Sequence, residues 1–123
     1  LFCGPNEITE HETIFTLLKN KGITIFRNNP HNSDLEFVSL VNECKIMICS
    51  DSYALHVSLA VEKPTIGLFF CTPSNEVEDY GILKKIVSPR LYDFFPEKMD
   101  VYDEELTKSI SAEEVFLTLK KIL

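Results

Sequence analysis

Two apolar runs that do not alternate constrain this chain more than any other feature. Ile46-Met47-Ile48-Cys49 and Thr65-Ile66-Gly67-Leu68-Phe69-Phe70 lack the polar residue at every second place that a half-exposed strand carries. Such runs are expected of parallel strands covered on both faces. Between them, Tyr53 to Val61 reads as a short helix, and Lys63-Pro64 leads into the second strand. Each run ends in small or polar residues, Ser50-Asp51-Ser52 and Cys71-Thr72-Pro73. Ligands of open α/β sheets bind outside the carboxyl ends of the strands. Asp51, Ser52, His56 and Thr72 are therefore the first candidates for a site.

The rest of the chain repeats the alternation. Leu1-Phe2-Cys3 reads as the end of a strand, followed by the turn residues Gly4-Pro5-Asn6. The spacing of Ile8, Ile14, Phe15, Leu17 and Leu18 predicts a helix over Glu7–Asn20, with acidic residues early, basic residues late and Gly22 as its stop. Ile23 to Phe26 predicts a short strand. After a loop at Asn28–Asn32, Ser33 or Asp34 caps a helix to about Glu43, whose stripe is Leu35, Phe37, Val38, Leu40 and Val41. Ser74 to Tyr80 reads as a loop or a short helix, and Lys85 to Val87 as a third strand. Arg90 to Glu105 follows neither period and is expected to be irregular and packed on the sheet. Ser111 with Glu114 marks a capping box for a last helix burying Val115, Phe116, Leu119 and Ile122. The fold class predicted is α/β: a Rossmann-like parallel sheet with helices on both faces, in one domain over residues 1–123.

Charge narrows the function classes. The chain carries 12 Lys and Arg against 19 Asp and Glu, a net charge of -7. That argues against nonspecific nucleic-acid binding and against an acidic membrane surface, both of which need basic patches. A small anion remains compatible, because backbone amides at a helix start hold it without net positive charge. Cys3, Cys44, Cys49 and Cys71 form no CxxC pair and read as buried free thiols, so zinc is not expected at this spacing. The chain opens on Leu1 at what looks like the end of a strand, so a piece of a longer protein is expected.

The candidates carry two readings each. Asp51 and Ser52 either cap a helix or orient a ligand whose phosphate sits on the first-turn amides. His56, one turn in, either touches that ligand or is a structural residue of the helix. Thr72 is either a second ligand contact or a turn residue ahead of Pro73. Glu7 either reaches the same crevice or complements a helix dipole. Tyr80-Gly81 reads as a turn that closes over the site. His11 and His31 read as surface or loop residues, and the run Asp100, Asp103, Glu104, Glu105 as a solvated surface. No Ser-His-Asp order and no glycine-rich phosphate loop is present.

Asp51-Ser52-x-x-x-His56-Val57, then Lys63-Pro64-Thr65-Ile66-Gly67-Leu68-Phe69 and Thr72-Pro73, resembles the lipopolysaccharide heptosyltransferases and their relatives, glycosyltransferase family 9. That family carries D-[ST]-G-x-x-H, a helix, and P-[TN]-[VI]-x-L-[FY]-G-x-T in the C-terminal half. Gly4-Pro5-Asn6-Glu7 resembles its G-G-P-x-E, Tyr80-Gly81 its Y-G, and Ile110-Ser111-Ala112-Glu113-Glu114-Val115 its closing I-x-x-E-x-V.

The resemblance implies the C-terminal, donor-binding half of a GT-B fold. Asp51, Ser52 and Thr72, with Tyr53 and His56 beside them, would hold the diphosphate of a nucleotide-diphosphate sugar such as an ADP-heptose, and Glu7 would contact the nucleoside. The sugar would pass to a lipopolysaccharide or other cell-envelope glycan, free or lipid-linked. The catalytic base would belong to an N-terminal domain absent from this chain, and no cofactor or metal is implied. The full-length protein would be cytoplasmic or peripheral at the inner membrane. Two positions depart from the family: Tyr53 replaces the glycine after Asp-Ser, and Phe70 the glycine after Leu-Phe. Aromatic rings there would either fill the crevice or stack on a base or sugar. The alternative is thus a non-catalytic domain of the same fold with a degenerate donor site. A phosphoacceptor signalling domain fits poorly, because Cys3-Gly4-Pro5 stands where that class needs an acidic pair and Ser88-Pro89 where it needs Lys-Pro.

Overall fold

The computed structural model describes Leu1–Leu123. The chain forms two compact units, Leu1–Leu40 and Val41–Leu123.

The first unit is organised by helix α1, Ile8–Asn20. Glu10 in its first turn and Lys19 in its last complement the helix dipole. Gly22, at φ +75°, lets the Ile23 N–H return 3.1 Å to the Leu18 carbonyl, which closes the helix end. The expected strands at Leu1–Cys3 and Ile23–Phe26 do not form a regular ladder. Only fragments of pairing exist: the Leu1 amino group donates to the Phe26 carbonyl at 2.8 Å, and the Asn28 N–H to the Leu1 carbonyl at 3.4 Å. The ladder stops there because a side chain takes over. Asn28 Oδ1 accepts from the Cys3 N–H and its Nδ2 donates to the Cys3 carbonyl, both at 3.0 Å and buried. His11, expected at the surface, is 5% exposed, with Nε2 3.3 Å from the Leu1 carbonyl.

Helix α2, Asp34–Glu43, begins in this unit and ends in the next. Its start is a reciprocal cap: Ser33 Oγ accepts from the Glu36 N–H at 3.3 Å, and Glu36 Oε2 accepts from the Ser33 N–H at 2.7 Å. These bonds to Ser33 hold the Glu36 carboxyl below the usual range. The stripe is narrower than expected, since Leu35 and Leu40 are exposed while Val41 is buried.

The second unit is built on a parallel sheet of three strands in the order β1, Met47–Ser50; β2, Thr65–Phe69; β3, Leu83–Val87. Register places Cys49 beside Gly67 and Gly67 beside Lys85. Both faces of β2 are covered, which is why its run does not alternate; β1 is covered on one face only, since Ile48 is 44% exposed, so the cover expected on both faces of that strand is absent. Gly67 and Phe69 point to the face of helix α3, Tyr53–Ala60, where Phe69 joins Leu55, Leu59, Val77, Leu83 and Leu91. Ile66, with Leu68 and Phe70, points to the other face, where Ile86, Ile110 and helix α6, Ala112–Ile122, close the core. The α/β class with helices on both sheet faces, that of a Rossmann-like half of a GT-B fold, is therefore what the chain adopts.

Gly67 is required by packing. A Cβ there would lie 3.0 Å from Phe69 Cε2 and 3.1 Å from Leu83 Cδ1. Buried hydroxyls tie α3 to the start of β2: Thr65 Oγ1 is 3.0 Å from Ser58 Oγ and 2.8 Å from the Lys63 carbonyl.

The β2–β3 crossover contains only a 3-10 turn, Ser74–Glu76, and a tight turn at Asp79–Ile82. Tyr80 and Gly81 have φ +48° and +73°, and Asp79 Oδ1 accepts from the Gly81 N–H at 2.8 Å. Lys85 Nζ donates to the carbonyls of Ser74 and Val77 and pins this crossover to β3.

The stretch expected to be irregular contains two short helices, α4, Leu91–Phe94, and α5, Glu104–Lys108. Each is too short to display a period in the sequence. Helix α6 carries the expected cap, with Ser111 Oγ accepting from the Glu114 N–H at 3.1 Å. Val115, Leu119 and Ile122 pack inward, but Phe116, expected in the core, is 57% exposed and lies beneath Lys120 Nζ at 5.4 Å. It sits one residue, about 100°, off the packed stripe.

Candidate functional site

The β1–α3 turn lies at the carboxyl end of β1. Ser52 is the N-cap of α3 by position, extended at φ −157° and ψ 176°, yet its side chain does not cap. Its Oγ donates instead to the Ser50 carbonyl at 3.1 Å, and its own carbonyl accepts from the Leu55 and His56 N–H groups. Asp51 is not a cap either: Oδ1 lies 3.7 Å from His56 Nε2, an ion pair when the imidazole is protonated. The His56 side chain is 64% exposed and that of Asp51 22%. The turn thus presents a largely shielded carboxylate, an accessible imidazole and the N-terminal end of an eight-residue helix, whose positive dipole end favours an anion.

Cys49, beside this turn, is not a nucleophile at neutral pH. Burial, with the Asp51 carboxylate adding to it, pushes its thiol up to about 11.

The other predicted residues are placed differently. Tyr53 is the first residue of α3 and is 55% exposed. Thr72 is half-buried in the bend after β2. Glu7 lies in the Leu1–Leu40 unit, where Oε2 accepts from the Gly4 N–H at 3.0 Å and closes the first turn. Among the predicted side chains, Asp51 and His56 are joined by a direct contact. Phe70 packs with Ile66 and Ile86 on the α6 face, opposite the face that α3 covers. No three His, Cys, Asp or Glu side chains converge as a metal site would require.

A second constellation follows the carboxyl end of β3. Arg90 Nη1 donates to Asp103 Oδ1 at 3.0 Å and Nε to Asp93 Oδ2 at 3.3 Å, with the guanidinium 5.3 Å above the Phe94 ring. Desolvation works against the charge, but the two carboxylates outweigh it and hold the guanidinium above its ordinary value. Asp103 also caps α5, accepting from the Leu106 N–H at 2.7 Å. That backbone bond, with Arg90 beside it, holds its carboxyl below the usual range. Asp103 is therefore not the solvated surface residue expected, and nothing local in the sequence pairs it with Arg90.

The sequence model of glycosyltransferase family 9 (heptosyltransferase) matches residues 1–100. The chain belongs to glycosyltransferase family 9. No curated protein and no solved structure matches it. The match contains both sequence departures, Tyr53 and Phe70, as well as Arg90, and ends before Asp103 and helix α6. The closing motif at Ile110–Val115 therefore lies outside the span that carries the family assignment. As a glycosyltransferase-family domain, the chain has sugar donors and acceptors as its partner class. No helix in it is long and apolar enough to cross a membrane.

Proposed function

We propose that this family 9 domain is the donor side of a glycosyltransferase and holds the diphosphate of a nucleotide-diphosphate sugar, ADP-heptose-like, at the β1–α3 turn. The supporting observation is the Asp51–His56 pair at 3.7 Å beside a helix start that its own N-cap side chain leaves uncapped. Ser52 and Thr72 complete the phosphate site, and Tyr53 flanks it. Asp51 keeps His56 oriented, and a protonated His56 adds a positive charge where a phosphate needs one. The sugar passes to a lipopolysaccharide or another cell-envelope glycan acceptor. Proton transfer is left to the N-terminal half of the full-length protein, which works in the cytoplasm or at the inner membrane.

Calorimetric titration of the full-length protein with ADP, UDP and GDP tests this reading. One nucleotide is expected to bind, and His56→Ala to weaken it about tenfold, the worth of one charge-assisted hydrogen bond. If none of the three binds, the donor site is refuted.

A second reading, a binding domain with a degenerate donor site, is favoured by Tyr53, whose ring stands at the helix start in place of a glycine. Tyr53→Gly separates the two. A loss of nucleotide affinity indicates an adapted site, and a gain indicates a decayed one.

A further inference from the structure

A groove of about 770 Å3 runs along helix α3 from His56 to Glu62, and the crossover from Glu76 to Ile82 forms its opposite wall. Leu59, Ala60, Val77 and Ile82 make its apolar floor. Glu62, Glu76 and Glu78 stand on its rim with the exposed Tyr80, and no Lys or Arg lines it. The groove exists because the β2–β3 crossover has only a three-residue 3-10 turn. Parallel crossovers usually carry a helix, so the flank of α3 that such a helix would cover is left open.

The walls are held in place. Lys85 ties the carbonyls of Ser74 and Val77 to β3, and Asp79 closes the turn that carries Tyr80. The cation nearest the crossover is thus directed at backbone oxygens and does not neutralise the rim. At the Glu62–Glu76–Glu78 rim, three carboxylates outnumber the one imidazole that lines the groove, that of His56 at its end, which disfavours a phosphate-bearing ligand there. A small polyvalent cation would leave the apolar floor uncovered. A helix with an apolar ridge flanked by Lys or Arg satisfies both floor and rim, in the helix-in-groove manner.

We propose that this groove docks a basic amphipathic helix of a partner polypeptide, its apolar ridge on Leu59, Val77 and Ile82 and its cations against Glu62, Glu76 and Glu78.

The test is calorimetry of the 123-residue chain with a two-heptad helical peptide of leucine and lysine, its leucine–glutamate counterpart, and spermine. The basic peptide is expected to bind one per chain, and the acidic one not at all. Glu62→Lys/Glu76→Lys/Glu78→Lys should weaken binding about tenfold or more, the scale of three lost exposed ion pairs. Ala60→Trp, which fills the groove without changing charge, should weaken it as well. A control with the same charge change on exposed residues elsewhere, Glu43→Lys/Glu97→Lys/Asp100→Lys, should bind within about twofold of the parent. An equal loss in that control reduces the effect to net charge and overturns the proposal. So does binding of the acidic peptide, or full displacement of the basic peptide by spermine, which would make the groove a small-cation site.

Discussion

Gly67→Ala should destabilise the Val41–Leu123 unit, although it replaces a glycine inside a strand. The new methyl would meet Phe69 Cε2 at 3.0 Å and Leu83 Cδ1 at 3.1 Å, with Leu55 Cδ1 at 3.5 Å. Phe69 and Leu55 are 0% exposed and Leu83 4%, so none of them has free space to retreat into. Forcing a methyl into such a site costs about 1–3 kcal/mol. Removing glycine's conformational freedom in the unfolded chain returns roughly 0.5–1 kcal/mol. The net is a loss of about 1 kcal/mol, which lowers the melting temperature of a chain this size by about 4 °C. Circular dichroism melts and urea titration both read this. Gly22→Ala is the contrast: nothing lies within 4 Å of its Cβ, but φ is +75°, so its cost is backbone strain. Introducing the Gly22 change should leave contacts in the sheet unaltered, whereas Gly67→Ala should perturb the Phe69 ring by NMR. An unchanged or raised melting temperature for Gly67→Ala would refute the claim that close approach across the α3 face requires glycine.

Asp103→Asn keeps a good capping side chain but removes the charge opposite Arg90. The folded-state pKa of Asp103 is depressed, so its stabilisation is present above the ordinary carboxylate range and is lost as pH falls through the folded value. The variant's melting temperature should therefore change less than the parent's between about pH 5 and pH 2. Glu36→Gln should behave with the same sign through its bonds to Ser33. Cys49, at about 11, should react with a disulfide reagent far more slowly than Cys71 at pH 8, since only about one part in a thousand of it is thiolate there. Mass-mapped labelling reads the order, and equal rates would contradict the burial argument.

What the sequence discloses and what it hides divide by range. The run at Thr65–Phe70 announces a strand covered on both faces, and the caps at Ser33 and Ser111 mark their helices within four residues of sequence. Asp51 and His56 were legible as candidates near the end of one strand, but the contact between them was not foreseen. The missing strands at Leu1–Cys3 and Ile23–Phe26 were not. What stops that ladder is the Asn28 side chain bonded to the Cys3 backbone across 25 residues, and no periodicity encodes it. The Arg90–Asp103 pair is hidden likewise, because it bridges 13 residues between helices too short to show a stripe. His11 read as a surface residue because a polar side chain in a polar helix turn gives no sign that it lies against the Leu1 carbonyl.

The two aromatic departures from the family pattern look equivalent in the sequence, and the structure separates them. Strand alternation alone fixes Phe70: it follows Leu68 at the same parity, so it joins the α6-face cluster with Ile66 and Ile86. A glycine there would remove a half-buried ring from that cluster, and any change in ligand binding would be mixed with a loss of packing. Phe70 is thus accounted for by the core it completes. Tyr53 has no such place in either core cluster. It begins the helix that carries His56, at the turn whose N-cap side chain bonds elsewhere. The proposed nucleotide-diphosphate site is therefore best tested at one ring, that of Tyr53 at the start of α3. Tyr53→Gly isolates it, because an exposed first helical residue can be changed at a cost of about 1 kcal/mol or less.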